Sequence, residues 1–326
     1  MRFRGKLLLM VATVLLLLSV PGRVMPGQPT YNVISIVAPN ALANVDGNSY
    51  ETYPFDGYIY SMRYQQVFDA SQFAAIADGG GYIQLIALRA DGACRSGIGQ
   101  SISNLQMSLS TTARGPDSLS PVFAENVGMD QTIVFGPGPS RLQAICTLEE
   151  PDPWSVIFPF ASPFYYHPTN GNLLLDIRNF SGSSSDGFLL QLDGHDVADD
   201  SISSLFAFGA TSETASLVSS FGYVVLFEIR PTPRLHLALT LTNLLFRWVN
   251  YPGNWALQCT TVLGTGMIWQ PAGGIMTTNA GYREVTLPLD TNSTSGFYRL
   301  VLPPLGSSAA DVETVVVPAV NSKQEY

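Results

Sequence analysis

Leu105-Gln106-Met107-Ser108-Leu109-Ser110 and Leu235-His236-Leu237-Ala238-Leu239-Thr240-Leu241-Thr242 decide the fold class. In both stretches a large apolar residue recurs at every second position, and a polar or small residue fills the gaps. Successive side chains of a strand point to opposite faces, so a period of two reads as a strand with one buried and one wetter face. Outward from these stretches, strand-like runs recur over 31–37, 58–67, 82–88, 132–135, 142–147, 155–160, 173–177, 188–192 and 223–229. Clusters at 78–81, 136–140, 168–172 and 181–187, rich in turn-forming residues, read as the turns between them. No stretch holds a sustained helical stripe, and 71–77 offers one or two turns at most. The predicted fold is all-β: a jelly-roll-like antiparallel sandwich over 35–229, then a smaller antiparallel β-sandwich module over 235–302. A proline-rich linker at 230–234 separates them, because Pro231 and Pro233 break the strand that ends at Ile229. Residues 303–326 read as a tail, in which 312–317 has the composition of a late edge strand.

Composition narrows the function classes. The chain has 326 residues, 46% hydrophobic and 13% charged. That is too apolar for a disordered chain and too interrupted for a membrane bundle. A net charge of -9 argues against a nucleic-acid partner. Lys6 and Lys323 are the only lysines, so the body offers no P-loop lysine, Schiff base or Ser-Lys dyad.

The first residues have the layout of a secretory signal peptide. Arg2, Arg4 and Lys6 precede an apolar run over 7–18, followed by Val20-Pro21-Gly22. The run is shorter than the roughly 20 residues of a spanning helix. The expectation is a signal over 1–22, a lead-in over 23–34 and no transmembrane segment after cleavage. The product is then secreted, extracellular or in the cell envelope. Loss of three positive charges takes the chain from -9 to -12. Among Cys94, Cys146 and Cys259 an odd count leaves at least one unpaired in an oxidising compartment, and Cys94 and Cys146 are the candidate disulfide.

Few residues can carry chemistry. His167, His195 and His236 are the only imidazoles. No nucleophile elbow, zinc-binding helix or EF-hand spacing accompanies them. His195 lies in Asp193-Gly194-His195-Asp196-Val197-Ala198-Asp199-Asp200, where Asp193, Asp196, Asp199 and Asp200 gather around one glycine. Hard cations take several oxygens from a bendable loop, so these four are the candidate calcium ligands, and the alternative is a solvated hairpin end. Tyr58, Tyr60 and Tyr64 share one face of a presumed strand, and Phe164-Tyr165-Tyr166 cluster in a presumed loop. Exposed rings stack on sugars, which makes Tyr58, Tyr60, Tyr64, Tyr165 and Tyr166 the candidate ligand-binding residues; aromatic filling of the core is the alternative.

The segment 155–181, with Ser-Val-Ile-Phe-Pro-Phe and Pro-Phe-Tyr-Tyr-His-Pro-Thr-Asn-Gly-Asn-Leu-Leu-Leu-Asp-Ile-Arg-Asn-Phe-Ser, resembles bacterial secreted proteins of the PEP-CTERM sorting-signal type found in planctomycetes and verrucomicrobia. The likeness extends over about 35–229. Separately, Phe246-Arg247-Trp248, Trp255 to Thr261, Trp269 and the closing Gly296-Phe297-Tyr298-Arg299-Leu300 resemble a C-terminal β-module of verrucomicrobial secreted proteins. The residues up to Tyr326 do not read as the sorting tail, so sorting by that route is not expected, and the resemblance brings no catalytic residues. It implies an exported β-sandwich protein.

The expected function is therefore a non-catalytic envelope or extracellular-matrix protein that works through surface binding to polysaccharide or to another envelope protein. The alternatives are a calcium-assisted carbohydrate-binding module and an unrecognised hydrolase centred on His195. The former uses calcium; the leading expectation needs no cofactor.

Overall fold

The computed structural model describes residues 33–55, 60–91, 99–147, 149–185, 190–262, 264, 267–289 and 296–302. Tyr58, Cys94 and the segments 1–32 and 303–326 lie outside the described residues, and with them the expected signal and the 312–317 strand. The fold is all-β, and among the described residues every strand pairing is antiparallel.

One sheet runs in the order Ile34–Ala38, Val225–Pro231, Gly81–Arg89, Trp154–Tyr166. A second runs Leu217–Ser219, Ile202–Phe208, Met62–Phe68, Asn172–Asn179, Gly99–Thr112, Thr132–Gln143. Their facing residues make one core. Ile83, Ile86, Phe158, Phe227 and Ile229 come from the first sheet, and Tyr64, Phe68, Leu105, Met107, Leu175 and Ile177 from the second. Each fully buried Phe, Leu or Ile in such a layer contributes roughly 1.5–3 kcal/mol relative to exposure. A short third sheet, Phe221–Tyr223, Leu192–Asp196 and Ser49–Glu51, flanks this core.

The Met62–Phe68 strand is buried along its whole length. Its second face is covered by Leu119 and Phe123, which pack on Val67, Leu174 and Leu205. The polar residues on that face are satisfied internally. Arg63 pairs with Asp176 at 2.6 Å, and the Gln65 amide bridges Asp176 and the Phe123 carbonyl. Buried polar groups are retained where such partners exist.

Downstream, His236–Leu239, Asn243–Val249, Tyr282–Pro288 and Ile275–Asn279 form one sheet, and Gln270–Pro271, Ala256–Thr260 and Phe297–Val301 another. They enclose a separate core of Phe246, Trp248, Trp255, Leu257, Val285 and Leu300. The division of the apolar clusters thus falls between Ile229 and Leu235.

Several local expectations are corrected. Gly136-Pro137-Gly138-Pro139 is not a turn but part of the Thr132–Gln143 strand. The pairing jumps between Leu105↔Gly138 and Met107↔Phe135, a bulge that absorbs the prolines, and Gly136 sits at φ +69. Phe164-Tyr165-Tyr166 is the end of the Trp154–Tyr166 strand rather than a loop. Ser183–Ser185, inside the presumed serine-rich turn, pairs with Gly99–Thr112. The short helical segment is 3-10 and spans Ala70–Ile76, with the Asp69 carboxylate capping it by accepting the Ser71 N–H. Arg230 and Pro231 still belong to the Val225–Pro231 strand, so the linker proper is shorter than the proline pattern suggests. Cys146 is disulfide-bonded and Cys259 is a free thiol. No helix among the described residues is long and apolar enough to cross a membrane.

Candidate functional site

The sequence-derived sites do not assemble as expected. Tyr64 is 1% exposed, and its hydroxyl donates to Gln66 Oε1 inside the core. Desolvation there pushes its phenol far above the usual range. Tyr166 is likewise buried and donates to the Gly171 carbonyl. Strand alternation puts Tyr64 and Tyr166 inward, so neither can stack on a ligand. Tyr60 is exposed, ahead of the strand it was assigned to, with its ring 6.0 Å from Phe208. Of the four candidate tyrosines among the described residues, Tyr165 is the one that shares an outward face with a cleft.

Among the described residues the four acids of the run do not converge on one point. Asp193 is buried, with Oδ2 2.7 Å from Arg89 Nε, while Oδ1 accepts the Gly47 N–H. Asp196 accepts the Ser220 hydroxyl, and Asp200 Oδ1 accepts the Ile202 N–H. Asp199 takes a left-handed turn position at φ 62, its N–H donating to Asp117. Asp193, Asp196 and Asp200 are thus each engaged by a neighbour of their own, while Asp200 Oδ2 is buried without a hydrogen-bond partner. Among the described residues no three His, Cys, Asp or Glu side chains converge as a metal set. His195 Nε2 stands 3.9 Å from Asp200 Oδ2, beyond hydrogen-bond reach, and its Nδ1 is buried without a partner.

The Arg89–Asp193 pair anchors a crowd of acids. Burial and the nearby Asp193, Asp46 and Asp152 push the Asp91 carboxyl up to about 6. An acid raised in the folded state holds its proton where the unfolded chain has lost it, so its contribution to stability falls as pH rises. Its window runs from the ordinary value of 3.8 to about 6. We expect Asp91→Asn to flatten that loss: melting temperatures of variant and wild type should coincide below pH 4 and separate above pH 6, the variant higher. Equal profiles across the range would contradict it.

A groove of about 360 Å³ lies where the sandwich meets the linker. Its floor follows from strand pairing. Tyr82 faces Tyr165 on one side and Arg230 on the other, three strands presenting one outward row. The two tyrosine rings lie 5.2 Å apart, tilted by 58°, and the Arg230 guanidinium sits 5.0 Å from the Tyr82 ring centre. The neighbours of these tyrosines, Ile83, Phe164 and Tyr166, point into the core and fix the row from beneath.

The linker forms one wall. The Thr232 N–H donates to the Gly80 carbonyl at 3.0 Å, and the hydroxyls of Thr232 and Tyr165 both donate to the Gly79 carbonyl. The backbones approach so closely that a Cβ on Gly79 would lie 1.8 Å from the Thr232 oxygen, so only glycine fits. His167 and Arg234 line the remaining sides. His167 Nδ1 accepts the Thr169 N–H, which in the neutral ring leaves the proton on Nε2.

Asp78 closes the groove. Its Oδ1 is 2.7 Å from Nε2 of His236, on the first strand of the second sheet system, while its Oδ2 is buried with no hydrogen-bond partner. Tyr251, also from the downstream module, donates to the Ala75 carbonyl beside this contact, and desolvation together with Asp78 raises its phenol to about 12. The groove is therefore assembled from three distant stretches: 78–82, 165–167 and 232–234. Sequence reading placed only Tyr165 there. The alternation around Ile83 does show Tyr82 on the outward face, but no sequence signal shows which strands stand beside it. No family model, curated protein or solved structure matches the chain.

Proposed function

We propose that this is an exported, non-catalytic binding protein, and that the groove between the Tyr82–Tyr165 pair and Asp78 takes a saccharide. The observation that carries the reading is Asp78 Oδ2, a buried acceptor without a donor beside two outward tyrosines. An unsatisfied buried acceptor costs about 1–3 kcal/mol, and a ligand hydroxyl would supply the missing bond. Tilted aromatic rings beside a hydroxyl acceptor suit a sugar, with one apolar face and a polar rim. The layout of the first 22 residues supports export. Among the described residues, neither a nucleophile–base pair nor a ligand set for calcium is gathered at the groove.

The test is a glycan array with the full chain, with and without chelator, followed by titration calorimetry on the best neutral oligosaccharide. We expect binding that survives chelator and weakens about tenfold in Tyr165→Ala, the loss of one stacking partner. Silence across the array, or binding indifferent to Tyr165→Ala, would contradict the reading.

A further inference from the structure

Resting on that saccharide reading, we infer that the groove is built for an acidic sugar, one that carries a carboxylate. The chain is acidic overall, with 25 Asp and Glu against 16 Lys and Arg. The groove does not share that acidic excess: one arginine, Arg234, and one carboxylate, Asp78, line it. Arg234 and His167 line it, and Arg230 caps the tyrosine row. The lining carboxylate, Asp78, has one oxygen committed to His236.

Arg234 stands apart from the other arginines among the described residues in its lack of a partner. Arg63 is held by Asp176, Arg89 by Asp193, Arg114 by Glu125, Arg247 by Glu284 and Arg299 by Gln258. Arg234 is exposed, and among the described residues it has neither a hydrogen bond nor an ion pair. A guanidinium presents a planar fork that matches a carboxylate in two parallel hydrogen bonds. Set beside the tyrosine row and the free oxygen of Asp78, it divides the groove's work: hydroxyls to Asp78, ring face to the tyrosines, carboxylate to Arg234.

The test titrates the full chain, at low salt, with a β-1,4-glucose hexamer, a galacturonate hexamer and hexaglutamate. The galacturonate is expected to bind about tenfold tighter than the glucose hexamer, the worth of one charge-assisted hydrogen bond. That advantage should shrink at 0.3 M salt, as for an open, solvent-reached charge. Arg234→Gln, at an exposed position that does not threaten folding, should bring the galacturonate down to the affinity of the neutral hexamer. Equal binding of the two sugars by the wild type overturns the acidic-sugar inference and leaves the saccharide reading standing. Failure of both sugars to bind overturns both. Hexaglutamate binding as tightly as galacturonate also overturns the acidic-sugar inference, since charge alone would then account for the advantage, and leaves the saccharide reading to the neutral hexamer.

Discussion

Arg89→Met should lower the unfolding free energy by about 3–5 kcal/mol, the usual penalty for removing one partner of a buried ion pair. The guanidinium is fully enclosed: it meets Asp193 at 2.6 Å, donates to the carbonyls of Leu42 and Val45, and lies 4.7 Å from the centre of the Trp154 ring. Methionine fills much of the volume but supplies no charge and no donor. Asp193 then keeps the Gly47 N–H as its remaining partner, in surroundings that already push its carboxyl up through burial. Asp46, 4.0 Å from Arg89, loses its compensating charge as well. The penalty belongs to the orphaned carboxylate more than to the lost contact. Arg89→Met combined with Asp193→Asn should therefore be less destabilised than the sum of the two single variants. Denaturant unfolding of the four proteins measures this directly. A single Arg89→Met variant within about 1 kcal/mol of wild type would show that the pair is not what holds these strands together.

Trp248→Ala should be of similar size, about 3–5 kcal/mol, and should act on the downstream core alone. Trp248 is fully buried among Phe246, Trp255, Leu257 and Val285, and that cluster is separate from the main sandwich core. Emptying its largest side chain leaves a cavity that the flanking sheets cannot close. Because the clusters divide between Ile229 and Leu235, the variant should unfold in two steps. Trp255 and Trp269 would report the first and Trp154 the second. Trp248→Phe should cost much less, below about 2 kcal/mol, for a particular reason: the indole N–H is buried with no partner, and phenylalanine removes that unpaired donor along with part of the volume. A phenylalanine variant as damaged as the alanine variant would mean that the N–H is satisfied after all.

The strands were legible because alternation is a local property. Leu105, Met107 and Leu109 face the core as their spacing requires. Alternation failed at Leu239 and Leu241, which are exposed at 55% and 99%, and at two other places a second layer or a bulge explains the failure. The Met62–Phe68 strand is buried on both faces, so Arg63 and Gln65 look exposed in the sequence yet lie under Phe123. The prolines at 137 and 139 look like a turn because a bulge that accommodates them leaves no periodic trace. The site was mostly illegible for a different reason. Asp193 reads as a surface acid until Arg89, 104 residues away, is set beside it. Tyr82, Tyr165 and Arg230 become neighbours only through strand register, which a single sequence does not encode in any window. His236 was rightly read as an outward strand residue, but its contact with Asp78 crosses 158 positions.

The most direct measurement of the saccharide claim is a crystal structure of the full chain soaked with the neutral or uronate hexamer that binds best. The expected result is a sugar ring against Tyr165 and Tyr82, with a hydroxyl donating to Asp78 Oδ2. Density for the sugar on another face, with this groove occupied by solvent alone, would contradict it.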